Sequence, residues 1–293
     1  MPSYAFVDTN IFLDFYRSGN GATLKLLERL KPVKDRIICT YQVEMEFLKN
    51  RQNVLLESYK KIKNPELPQP PAIFADSATN TSLKSISKEA QKKTKLLKKR
   101  IVTLLRQPKS NDVVYQVLEE IFHSESEHVL TRDMDIRHRV KRKAHRRFLL
   151  GYPPRKASDT SYGDALNWEW FLTCARELRG KFIIVSRDGD YGITIDDQSY
   201  LNDQLFQEFR DRVGQKSIIF TNRLSSALEA MDVAVPSKEV EAESQQLENA
   251  IPTQSRLNKA LERFLEGQLS TLDPSGFLSS AMEELRRERD SEG

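Results

Sequence analysis

Two hydrophobic patterns alternate along this chain. Short, nearly unbroken apolar runs occur at Tyr4–Asp8, Arg36–Thr40, Phe182–Ser186 and Ser217–Phe220, and they read as strands buried on both faces. Between them, apolar residues recur every three to four positions and predict helices. These cover Thr23–Leu30, a long stretch from Val43 to about Asn64, residues 83–106, and a segment capped by Asn111 or Asp112 and running to Phe122. Further helices are expected at Arg132–Leu150, Gly163–Leu178, Leu201–Val213 and Leu224–Met231. Strands that alternate with helices predict an α/β fold with a mostly parallel central sheet flanked by helices.

The spacing between strands is uneven. The second and third are separated by a long, mostly helical insertion, residues 65–160, which opens on a loop with four prolines between Pro65 and Pro71. It is expected to form a cap beside the sheet rather than part of it. The body is expected to close at Pro236. After it the composition turns acidic and polar, which predicts a linker over 237–254 and two amphipathic helices at Arg256–Leu269 and Pro274–Arg289. The expected organisation is therefore a body of 1–236 and a helical tail of 237–293.

Charge sharpens this division. The chain carries a net +4, but residues 239–293 hold 12 acidic and 6 basic residues, a balance of −6 that leaves +10 on the rest. Basic residues cluster in two stretches of the insertion, Lys84–Lys109 and Arg132–Arg147. Each alone suits a solvated helix face; together they suit a polyanion such as nucleic acid. No apolar run approaches the roughly 20 residues needed to cross a bilayer, and no basic-then-apolar leader opens the chain, so a cytoplasmic protein is expected. Cys39 and Cys174 lie in apolar patterns and read as buried free thiols. The four histidines share no metal-ligand spacing and are expected at the surface. Trp168 and Trp170 are expected in the core and at its rim.

The candidate chemistry lies in acids that follow the strands. Asp8 ends the first apolar run, Glu44 and Glu46 begin the helix after the second, Asp164 begins the aromatic-rich helix, and Asp188 and Asp190 follow the third strand. In a parallel sheet these positions lie at the same edge, where open α/β sheets place their ligands. Converging carboxylates suit Mg²⁺ or Mn²⁺, hard cations that take oxygen ligands. Singly, each acid has a plainer reading. Asp8-Thr9-Asn10 can cap a helix, Glu44, Glu46 and Asp164 suit the first turns of helices, and Asp188-Gly189-Asp190 suits a tight turn. An aspartyl phosphatase is disfavoured, because Asn10 stands where a second aspartate is needed.

Four segments in order carry a resemblance: Val7-Asp8-Thr9-Asn10, the run Val43 to Arg51 with Glu44 and Glu46, Gly163-Asp164-Ala165-Leu166-Asn167-Trp168, and Val185-Ser186-Arg187-Asp188-Gly189-Asp190. The chain resembles the PIN-domain ribonucleases, and is closest to a PIN-like group of bacterial proteins. The resemblance implies a metal-dependent nuclease, with Asp8, Glu46, Asp164 and Asp188 as the metal-binding acids and Asp190 as a fifth, outer acid. It favours Glu46 over Glu44, assigns supporting roles to Thr9, Asn10 and Ser186, and offers Arg17 and Arg51 as phosphate contacts. RNA is the implied substrate ahead of DNA, in a toxin, a defence effector or an RNA-processing enzyme. The competing reading is a non-catalytic binding protein for nucleic acid or a partner. The acidic tail is a candidate for a protein partner, for self-association, or for occupying the chain's own basic groove.

Overall fold

The computed structural model describes residues 1–66, 70–155 and 161–250. The chain divides into two compact units, Met1–Glu243 and Ser244–Gly293; the tail helices expected after residue 255 lie outside the described residues.

The first unit is built on a five-stranded, fully parallel sheet. Strand β1 (Ser3–Val7) is followed by helices α1 (Thr9–Asp14) and α2 (Thr23–Glu28), then by β2 (Ile37–Thr40) and α3 (Tyr41–Lys61). The insertion contributes α4 (Ala78–Arg106), α5 (Pro108–Asn111), α6 (Val113–Phe122), the two-residue strand β3 (Val129–Leu130) and α7 (Ile136–Leu149). Helix α8 (Gly163–Glu177) leads into β4 (Lys181–Val185), a hairpin of β5 (Gly192–Ile195) and β6 (Gln198–Leu201), α9 (Asp203–Val213), β7 (Ile218–Thr221) and α10 (Leu224–Ala230). Helix α11 (Ser237–Ala250) crosses the unit boundary. The strand order is β3-β2-β1-β4-β7, with Ala5 of β1 level with Ile37 on one side and Ile183 on the other.

The four apolar runs are thus the four longer strands of the sheet. The three inner strands are almost wholly buried, as unbroken apolar strands in a parallel sheet should be. Side-chain caps set several helix starts. The Thr40 hydroxyl accepts from the backbone N–H groups of Gln42 and Val43 and starts α3 at the end of β2. Asp112 likewise receives the N–H of Tyr115 and starts α6, as its place in the sequence predicts.

Three expectations need correction. The insertion is not a separate cap: β3 pairs with β2 at the sheet edge, and α6 buries Val114, Val117, Leu118 and Ile121 in the core. Helices α4 and α5 stay peripheral: α5 buries no residue, and α4 buries Asn80 and Ser87 and leaves apolar residues such as Ile86 and Leu96 exposed. The helix expected from Leu201 begins instead at Asp203, because residues 192–201 form the hairpin. Its turn places Asp196 and Asp197 at φ 48° and 62°. Both values are left-handed, as a two-residue hairpin of the I′ kind requires. The region 237–254, expected as a linker, is helical through Ala250, and Glu239, Ala242 and Glu243 are buried in the first unit. Glu239 binds Arg29 through both carboxylate oxygens, at 2.6 and 2.8 Å. Glu243 accepts the backbone N–H groups of Leu224 and Ser225 at the start of α10.

Both cysteines are buried free thiols, and burial raises the pKa of each above its ordinary value. Trp168 and Trp170 are both in the core, each with its indole N–H bonded, to Glu208 and to the His128 carbonyl. Among the described residues, no helix is long and apolar enough to cross a membrane.

Candidate metal centre

The carboxyl ends of β2, β1 and β4 bring the predicted acids to one edge. Asp8 directly follows β1 and is only 5% exposed. Its Oδ2 accepts from the Ser186 hydroxyl at 2.5 Å and from the Asn10 amide at 2.8 Å, while Asn10 Oδ1 receives the Arg187 N–H at 3.4 Å. Ser186 also receives the Asp188 N–H at 3.0 Å. Asn10 and Ser186 thus join the ends of β1 and β4 and fix one carboxylate.

Glu46 lies one turn into α3. Its carboxylate accepts from the Thr9 hydroxyl at 3.2 Å and from the Gln42 amide at 2.8 Å. Glu44, two positions away, faces Phe122 and His123 instead, so the helix selects Glu46 for this edge. Gly163, at the start of α8, allows the close approach. A Cβ there would meet the Glu46 carboxylate below van der Waals distance and Gln42 Nε2 at 2.7 Å.

Asp164, Asp188 and Asp190 form the tightest group, each offering a carboxylate oxygen within 4.8 Å of the others. Asp190, expected as an outer acid, stands inside this group. The Asp188–Asp190 turn is itself a local feature, with the Asp190 N–H 3.4 Å from the Asp188 carboxylate, so turn chemistry and ligand placement coincide.

Electrostatics tie the acids together. The Asp8 carboxyl is pushed up from 3.8 to about 6, first by burial and then by the charges of Glu46 and Asp188, against the opposing Ser186 hydrogen bond. Tyr191 adds an independent sign. It is 1% exposed, and its hydroxyl has no hydrogen-bond partner among the described residues. Burial raises its pKa most, and the charges of Asp164, Asp8, Glu46 and Asp188 raise it further. An orphaned buried hydroxyl within the field of four acids is the kind of group that a bound ligand's oxygen satisfies. An all-oxygen donor set with self-repelling charge fits a hard divalent cation.

Arg51 does not meet its expected role. It is 4% exposed and bound to Asp112 at 2.5 Å, with its guanidinium also on the Leu104 carbonyl at 2.8 Å. It locks the start of α6 and the end of α4 to α3, and it has no side-chain freedom left to meet a substrate phosphate. Arg17 is exposed and paired with Asp14 at 2.9 Å. The residues that sequence reasoning missed are Gln42 and Tyr191. Gln42 has a readable signal, since it precedes Glu46 by four residues on one helix face. Tyr191 has none beyond its place next to Asp190.

Comparison with known proteins adds one finding. Residues 5–191 match the sequence model of one family, described as PIN domain. No curated protein and no solved structure matches the chain.

Proposed function

The chain belongs to the PIN-domain family, a nuclease fold whose members are generally metal-dependent, and from that premise we propose that it is a Mg²⁺- or Mn²⁺-dependent endoribonuclease. The observation that carries this reading is the convergence of Asp164, Asp188 and Asp190 within 4.8 Å beside Asp8 and Glu46 at one sheet edge. These five acids would hold the cation, which supplies acidity to water near neutral pH and steadies the leaving oxygen of a phosphodiester.

The remaining residues position and balance charge. Ser186 and Asn10 hold the Asp8 carboxylate, and Gln42 and Thr9 hold Glu46. Tyr191 offers a buried donor to an oxygen at the centre. Five gathered acids repel a phosphodiester, so a bound cation and the basic surface each favour substrate engagement. The basic insertion supplies that surface, with Arg17 as a peripheral phosphate contact. RNA ahead of DNA follows from the resemblance, as does a role as toxin, defence effector or RNA-processing enzyme, while the buried free cysteines suit a reducing, cytoplasmic setting.

The test is cleavage of single-stranded RNA, tRNA and single-stranded DNA with Mn²⁺, comparing the wild type with Asp8→Asn. The expected result is RNA cleavage that EDTA abolishes and that falls on the order of 10²–10³-fold in the variant. Undiminished turnover in the variant would sink the reading. Salt-sensitive binding with no cleavage of any substrate would favour a binding protein on the same scaffold.

A further inference from the structure

The sheet edge that carries the acids continues past them. In the order β3-β2-β1-β4, Asp8 follows β1 and Asp188 follows β4, while Tyr41 and Gln42 follow β2 and Arg132 follows β3. Next to the acids, over β2 and β3, lies a pocket of about 300 Å³ lined by Tyr41, Gln42, Arg132, Arg137, His138 and Lys141. That volume is at the small end of ligand-pocket size. Gln42 is the shared wall, because its amide donates to Glu46 at 2.8 Å. The other side brings three permanent cations from the insertion: Arg132 before α7, and Arg137 and Lys141 on one face of α7 four residues apart. The Arg132 guanidinium lies over the Tyr41 ring, 5.8 Å from its centre. The pocket also meets the first turns of α3 and α7, whose helix dipoles add positive potential.

We infer that this pocket is a binding subsite for one nucleotide of a single-stranded nucleic acid, next to the one being cut. Arg132, Arg137 and Lys141 take its phosphate, and the Tyr41 face takes its sugar or base. The inference rests on the nuclease reading of the acid centre and deepens it. The choice of a single strand follows from the shape. A small pocket with an aromatic wall receives a nucleotide that can be splayed out, and a paired duplex does not offer one. It also gives the insertion a specific task. Of its two basic stretches, the one on α7 engages substrate at a defined point, beside the chemistry.

The experiment measures binding of a fluorescein-labelled single-stranded RNA 12-mer to full-length Asp8→Asn protein in EDTA, where cleavage cannot interfere. Two charge-matched double variants are compared in that background. Arg137→Ala with Lys141→Ala removes two pocket cations; Arg139→Ala with Arg142→Ala removes two from the same helix that do not line the pocket. The pocket pair should weaken binding about tenfold or more and reduce the slope of log affinity against log salt by about 1.4, the value for two phosphate contacts on a single strand. The control pair, part of the general basic surface, should cost clearly less of both. Equal losses in the two pairs, or no loss in the pocket pair, would overturn the subsite. A duplex of the same length binding as tightly as the single strand would also overturn it. Because the readout is binding, it stands apart from the nuclease reading, which is tested by wild-type cleavage and its loss in Asp8→Asn.

Discussion

Asp8 and Glu208 are both carboxylates taken largely out of water, and their neighbours push them in opposite directions. Burial raises both. At Glu208, hydrogen bonds from Arg147, Trp168 and Arg212 outweigh burial and bring the carboxyl below its ordinary value. Glu169 completes that group, bound by Arg147 at 3.1 Å and by Arg212 at 2.7 Å. At Asp8, Glu46 and Asp188 add to burial and carry the carboxyl up to about 6. The first arrangement matches charge to charge inside the protein and ties α7, α8 and α9 together. The second concentrates like charge at the mouth of the sheet. A fold gains nothing from such concentration by itself, so the difference separates the charges that hold this protein together from those proposed to hold a cation.

The sharpest way to break that division is Arg51→Ala. Arg51 belongs with the matched charges, and its loss leaves Asp112, 2% exposed, without its cation. Stability should fall by about 3–5 kcal/mol in urea unfolding. Unchanged stability with a raised KM for substrate would return Arg51 to the substrate-contact role. Next in size is the stability of Asp8→Asn in metal-free buffer. The folded carboxyl at about 6 lies above its ordinary 3.8, so the folded state binds the extra proton. Wild-type stability therefore falls as pH rises from about 4 through 6 and stays lowered above that. Over about 2 pH units the loss amounts to roughly 3 kcal/mol. Asparagine has no such charge to desolvate, so the variant should gain relative to wild type at pH 8 and gain nothing at pH 4. Parallel pH–stability curves for the two proteins would contradict the clustering. The smallest effect is expected from Gly163→Ala. The new methyl displaces the ends of Glu46 and Gln42 rather than backbone. Cleavage should drop about 10- to 100-fold while the unfolding free energy moves by less than about 1 kcal/mol. A large loss of stability would mean that Glu46 is held for the fold.

The same comparison marks what the sequence makes legible. The parallel sheet and the acid edge are readable because each strand is a local apolar run and each acid sits at a fixed place relative to its strand. Matched buried charges are not readable, because the partners are distant. Asp112 is 61 residues from Arg51, and Glu208 is 61 from Arg147. An arginine next to a motif then reads as a substrate contact. The β5–β6 hairpin escapes because its turn is Asp196-Asp197, without the glycine that usually marks such turns, and because Ile193, Ile195 and Tyr200 are about half exposed. Helix α11 escapes because an acidic, polar stretch looks solvated. Yet Glu239 and Glu243 share one face at a spacing of four, with Ala242 between them, and that face is buried. The correction has a functional side. Arg187, between Ser186 and Asp188, is held by Asp14 and, at 3.4 Å, by Glu243. Removing the chain from residue 239 onward would therefore disturb the loop that carries Asp188, besides removing the acidic tail.

The central claim is that the carboxylates at this edge form a cation site, and Mn²⁺ titration of the full-length protein tests it most directly, by calorimetry or by the loss of free-Mn²⁺ electron paramagnetic resonance signal. Saturable Mn²⁺ binding by the wild type, lost or greatly weakened in both Asp8→Asn and Asp164→Asn while both variants stay folded, is the predicted result. Binding of equal strength and stoichiometry in all three proteins would contradict it.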